Sequence, residues 1–140
     1  MQSSLRRVLA TVMLLLMILA ARGHAAALRV EITSPAESAV VDVEAMVKGK
    51  VSDAKTRVYV LVRPLKTRYW WVQRLPAPPS PDGTWQTLCN FGTPSEGVGE
   101  PYEIIAIASK TRLNFIEGKT LEDVPDSGTT SAVVTVKRSK

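Results

Sequence analysis

The chain predicts an all-β fold, a single seven-stranded antiparallel β-sandwich, and three observations predict it. Short runs rich in β-branched residues alternate apolar and polar side chains with period two. Proline, glycine and Asp-Gly signals separate those runs at spacings typical of strand-turn-strand architecture. No long window carries the i, i+3, i+4 apolar stripe of an amphipathic helix.

The strands follow in order. Leu28 to Thr33 alternates and is stopped by Ser34-Pro35. Val43, Ala45, Val47, Gly49 and Val51 then share one face, while Asp42, Glu44, Lys48 and Lys50 share the other, as in a half-buried strand. Arg57 to Arg63 is nearly continuous in apolar residues and ends at Pro64, as a central core strand would. Tyr69 to Leu75 comes next, followed by a proline-rich stretch, Pro76 to Pro81, and the turn Asp82-Gly83. Thr84 to Phe91 and Tyr102 to Ala108 supply two more strands, and Ala132 to Val136 closes the set. The last run is too apolar for a free edge and is expected to pair with a neighbour. One short helical turn is expected around Gly118 to Val124.

Length and composition bound the rest. The chain has 140 residues, 45% of them hydrophobic and 22% charged, which fits one packed domain and excludes a disordered chain. One cysteine excludes a disulfide framework and a cysteine zinc cluster. The N-terminus carries Arg6 and Arg7, an apolar run from Val8 to Ala21, and small residues after it. That is the pattern of a signal peptide over residues 1–26, with cleavage somewhere in 25–27, and of export to the periplasm or the exterior. A retained, tilted anchor is the weaker alternative, because 14 residues span only about 21 Å of a ~30 Å hydrocarbon core. Residues 27–140 form the expected sandwich domain, with no membrane span of their own.

Removing the leader changes the chemistry on offer. It takes Arg6, Arg7 and Arg22, which is +3 of the net +5, and it takes His24, the only histidine. A domain without histidine has no Ser-His-Asp or Cys-His nucleophile and no histidine-ligated zinc. The expectation is a protein that is not an enzyme and holds no cofactor or metal.

The strand and turn motifs carry a resemblance. These are Ile32-Thr33-Ser34-Pro35, Val47-Lys48-Gly49, Val58 to Pro64, Trp70-Trp71-Val72-Gln73, Asp82-Gly83-Thr84-Trp85 and Gly99 to Ala108. Over essentially all of residues 27–140 the chain resembles an immunoglobulin-like or fibronectin-III-like module of bacterial exported proteins. The resemblance implies a spacer, adhesion unit or binding platform.

The most informative constellation is a basic and aromatic segment. Between Asp53 and Asp82 there is no acid, while Lys55, Arg57, Arg63, Lys66, Arg68 and Arg74 supply +6. Tyr59, Tyr69, Trp70 and Trp71 lie in the same interval. Guanidinium groups suit phosphate and carboxylate, and ring faces suit sugars or bases. The candidate contact surface is Arg63, Lys66, Arg68, Tyr69, Trp71 and Arg74, exposed by Pro64 and the polar turn after it. Its expected partner is an envelope protein, an anionic lipid head group or a glycan, with nucleic acid disfavoured by export. Period two puts Trp70 and Trp71 on opposite faces, and the reading is Trp70 inward and Trp71 outward. A carbohydrate-binding module with exposed Tyr69 or Trp71 as its platform is the alternative function. The competing account is a solvated face over core tryptophans.

Other motifs reduce to structure. Trp85, Cys89 and Phe91 share a face and read as core, with Cys89 a small buried hydrophobe. The acids Glu117, Glu122, Asp123 and Asp126 lack the Asp-x-Asp-x-Asp-Gly spacing of a calcium loop. Gly118-Lys119-Thr120 imitates a phosphate loop, but Leu113 stands where its first glycine belongs. The Pro76–Pro81 stretch is a stiff connector rather than a recognition motif. Glu100 and Glu103 carry no specific spacing for glycoside chemistry.

Overall fold

A computed structural model describes residues 26–76 and 78–140; the expected leader, but for its last residue, lies outside them. Ten strands form two sheets, and no helix occurs among the described residues. The strands are β1 (Val30–Ser34), β2 (Val40–Val41), β3 (Glu44–Val51), β4 (Arg57–Pro64) and β5 (Trp70–Val72). Then follow β6 (Thr84–Asn90), β7 (Pro101–Ser109), β8 (Thr120–Leu121), β9 (Thr129–Thr130) and β10 (Val134–Arg138). One sheet has the order β1-β3-β6; the other has the order β2-β10-β7-β4-β5-β8, with β9 paired to β7.

The seven-strand antiparallel expectation needs two corrections. Each expected run contains a strand, but β2, β8 and β9 add three more, each only two residues long. Two residues cannot display a period-two alternation, so the pattern that revealed the longer strands is silent there. The pairing is also not antiparallel throughout, since β2 runs parallel to β10 with Val40 opposite Lys137. The segment expected as a helical turn, Gly118 to Val124, instead contributes β8, whose Leu121 lies opposite Trp70 of β5. Its apolar residues are scattered to suit a cover over a sheet face and not a helical stripe.

Two clusters of buried side chains explain the burial pattern. Val47, Val51, Trp85 and Cys89 of the small sheet meet Val58, Val60, Val62, Ile104, Ala106 and Val136 of the large one, an arrangement compatible with a sandwich. The opposite face of the large sheet is also dry. There Tyr59, Leu61, Trp70, Val72, Ile105 and Ile107 pack beneath Leu113, Phe115, Leu121 and Val124. β4 is therefore buried on both faces, which is why its sequence is an unbroken apolar run. β10 is held between β7 and β2, so the apolar last strand is paired as expected.

The Asp82-Gly83 turn feeds β6 as its residues demand. Gly83 has φ 84°, a left-handed conformation that suits glycine. Its amide donates to Ser80 O at 2.8 Å, and the Thr84 hydroxyl and amide both donate to Asp82 Oδ1. Those two hydrogen bonds hold the Asp82 carboxyl below its ordinary range.

Cys89 is fully buried and free, and burial pushes its thiol up to about 12. Its neutral form contributes stability that is full below the ordinary value of 9.0 and is lost as pH rises towards about 12. An alkylating reagent at about pH 8 is expected to label it only as fast as the protein unfolds, because the thiolate is the nucleophile. Rapid labelling under native conditions, read by intact-mass spectrometry, would show that the thiol reaches solvent.

Candidate functional site

β4, β5 and the loops after them carry the basic and aromatic segment, with Trp70 and Trp71 on opposite faces of the large sheet. Arg63, at the end of β4, is in register with Glu103 of β7, and the two side chains form an ion pair. The Arg63 guanidinium also lies over the ring of Trp70, 4.9 Å from its centroid. Lys66 meets Glu100 at 3.5 Å, Arg68 meets Glu122 at 3.0 Å, and Arg74 meets Glu117 at 3.8 Å. All four cations of the sequence-predicted surface are thus answered by a carboxylate from later in the chain.

The last three pairs are solvent-exposed, and pairs of that kind contribute about 0–1 kcal/mol each. Their consequence is electrostatic cancellation more than stability. The +6 segment does not stand as an open positive field, because part of the acidic remainder of the chain folds against it.

The aromatic side chains divide sharply. Trp70 is 7% exposed and packs on the outer face of the sheet, whereas Trp71 is 45% exposed. Trp71 is in register with Val62, whose side chain belongs to the inter-sheet core. It therefore continues the inner face beyond the inter-sheet core, where it is only partly covered. Tyr69 is also exposed, and its ring carries the Arg68 guanidinium 5.4 Å from the centroid.

Trp71 and Lys66 open onto a groove of about 540 Å³. Val62, Pro64 and Tyr102 give it apolar walls, and Asn90, Thr93 and Glu96 bring hydrogen-bonding groups to the same space. The structure thus brings two of the six sequence-predicted surface residues to one groove. Tyr69, Arg63, Arg68 and Arg74 do not line it.

The loop forming the far wall is held by a residue that the sequence reading missed. Arg138 is 6% exposed, and its Nη1 donates to Phe91 O at 2.6 Å, Thr93 O at 2.9 Å and Glu96 O at 3.3 Å. The Tyr102 hydroxyl reaches Gly97 O at 3.5 Å, and its ring meets Phe91 edge-on. Burial raises the Tyr102 phenol, an effect opposed by the nearby Arg138 charge and reinforced by Glu100. A signal for Arg138 was present, since period two from Val134 and Val136 places it on the core face. A cation on such a face demands carbonyl or carboxylate partners.

Among the described residues no group of three or more His, Cys, Asp or Glu side chains is placed to hold a metal ion. No helix there is long and apolar enough to cross a membrane. Comparison with known proteins finds no matching family model and no matching curated protein.

Proposed function

We propose that the chain is an exported, non-enzymatic, immunoglobulin-like binding module of the cell envelope, and that it seats a glycan on Trp71. The observation that carries this reading is the half-exposed indole at the wall of a groove that also presents Lys66, Asn90, Thr93 and Glu96. Sugar rings offer an apolar face for stacking and a rim of hydroxyls for hydrogen bonds, and the groove supplies both kinds of partner.

The finer fold reading has its own support. Strands β1, β3 and β6 share a core with β10, β7 and β4, and the chain passes from the first sheet to the second between β1 and β2. The tyrosine at the start of β7, its hydroxyl 3.5 Å from Gly97 O in the turn before it, is placed as a tyrosine corner would be and supports the immunoglobulin-like reading. Export is supported by the leader pattern of residues 1–26. The non-enzymatic reading is supported by the absence of histidine from residues 27–140 and by a thiol held neutral in the core.

Titration with neutral glucose and N-acetylglucosamine oligomers is expected to quench and shift tryptophan emission. Trp71→Ala is expected to weaken binding by about tenfold or more, as the loss of a stacking platform does. Unchanged affinity in Trp71→Ala would remove the platform. The competing contact, an acidic partner on Arg63, Lys66, Arg68 and Arg74, would have to displace four intramolecular carboxylates. It predicts binding that collapses in salt, whereas stacking on Trp71 predicts affinity nearly independent of salt.

A further inference from the structure

The ion pairs leave the other end of the basic segment uncancelled. Lys55 lies in the turn before β4, Arg57 opens that strand, and Arg112 follows β7. All three are exposed, and among the described residues none has a carboxylate within 4.0 Å. The acid closest to Lys55 and Arg57 in sequence, Asp53, turns its Oδ1 to the Lys55 amide at 2.9 Å and forms no ion pair with either cation. The three cations border one groove of about 660 Å³. It shares no lining residue with the Trp71 groove, so the two are separate.

The lining of this groove is mostly apolar. Leu75, Pro76, Pro78, Pro79, Leu113 and Phe115 face the space between the cations. Proline has no N–H to offer. Each of the two hydroxyls nearby has one partner within the chain: Tyr59 Oη accepts from the Leu113 amide at 3.0 Å, and Thr56 Oγ1 donates to Asp53 O at 2.7 Å. The groove therefore offers apolar contact along its length, with its directional donors concentrated in the Lys55, Arg57 and Arg112 heads at its border. A nucleotide or sugar phosphate would leave its ring hydroxyls and base edges unanswered there, and an extended peptide would leave its main-chain groups unanswered.

We propose that this groove binds a single-chain anionic amphiphile. The phosphate or carboxylate head lies among Lys55, Arg57 and Arg112, and the first methylenes lie on the proline and leucine lining. The volume falls within the roughly 300–1,000 Å³ of small-ligand sites. This site is independent of the glycan reading, and Trp71 takes no part in it.

The test is a titration of the protein with dodecyl phosphate below its micelle threshold, followed by amide chemical shifts. Shifts are expected at Leu75, Leu113 and Phe115, with none at Asn90 or Thr93. The triple variant Lys55→Gln, Arg57→Gln, Arg112→Gln changes only exposed side chains, and it is expected to bind about tenfold more weakly. Raising salt from about 0.05 M to about 0.5 M is expected to weaken binding in the parent and to do much less in the variant. Inorganic phosphate separates the free anion from the amphiphile and is expected to bind more weakly than dodecyl phosphate. Dodecyltrimethylammonium separates apolar contact from charge and is expected not to saturate the site. Equal binding of inorganic and dodecyl phosphate, equal binding of the cationic amphiphile, an unaffected triple variant, or tighter binding of an acidic peptide would each overturn the proposal.

Discussion

Gly49→Ala is expected to destabilise the protein by about 3 kcal/mol, at the upper end for the insertion of one methyl group into a packed core. Gly49 lies in the middle of β3, where an extended backbone by itself tolerates any side chain. The obstacle is close approach. A Cβ at this position would overlap the main-chain carbonyl oxygen of Glu31 in β1 and the benzene ring of the Trp85 indole. Trp85 is opposite Gly49 on β6, is buried, and belongs to the inter-sheet core. The indole uses the surface that a side chain at 49 would otherwise fill. A flexible neighbour would yield, but the Glu31 carbonyl is part of the β1–β3 ladder and cannot move without opening it.

The measurement is a guanidinium unfolding curve, in which the midpoint is expected to fall while the slope is kept. Pairing the substitution with Trp85→Leu separates the two obstacles. Partial relief is expected in the double variant, because the indole is removed and the carbonyl remains. A midpoint unchanged by Gly49→Ala would mean that neither the Glu31 carbonyl nor the indole lies against this residue.

The Gly49–Trp85 contact also marks the boundary of what the sequence makes legible. Alternation in Asp42 to Val51 places Gly49 on the inner face, and alternation in Thr84 to Phe91 places Trp85 inward. Neither run says that the two are opposite one another, because register between strands depends on the whole sheet. The same holds for charge. The basic segment is visible as a run, but its acids come from far along the chain, 40 residues on for Arg63 and Glu103 and 54 for Arg68 and Glu122. A solvated positive face and a cancelled one therefore read alike until the fold is known. Lys55, Arg57 and Arg112 are the converse case, since one of the three lies outside the run and only the fold brings it back beside the others.

Double burial of β4 follows the same logic. Its unbroken apolar run announces that both faces are dry, and the first core accounts for one of them. The cover on the second face comes from Leu113, Phe115, Leu121 and Val124, single apolar residues in a polar segment without periodicity. Such a segment has no helix or strand signature to detect, because its side chains are placed by the sheet beneath and not by a repeating backbone. Trp70 sits under that cover while Trp71 escapes it, and period two alone distinguishes the two faces without naming either.

Arg138→Met is expected to cost about 3 kcal/mol, through loss of hydrogen bonds from a charged donor to carbonyls that then have no partner. Methionine keeps most of the volume, so the effect reports the three bonds to Phe91, Thr93 and Glu96 and not a cavity. Those carbonyls fix the loop that walls the Trp71 groove, so the loss is local as well as global. Amide exchange of residues 92–97 is expected to rise well beyond the rise seen in β4, which keeps both of its cores. Arg138→Lys is expected to recover part of the stability, since an ammonium can satisfy some of these carbonyls without the planar spread of the guanidinium. The Tyr102 phenol offers an independent readout. Arg138 opposes the upward effect of burial on that group, so its removal is expected to move the alkaline titration of Tyr102 further up. Glycan affinity measured at a temperature where the variant is folded separates the two roles of the loop. Weakened binding with Trp71 intact is expected if the groove needs its far wall, and unchanged binding would confine recognition to the indole face alone.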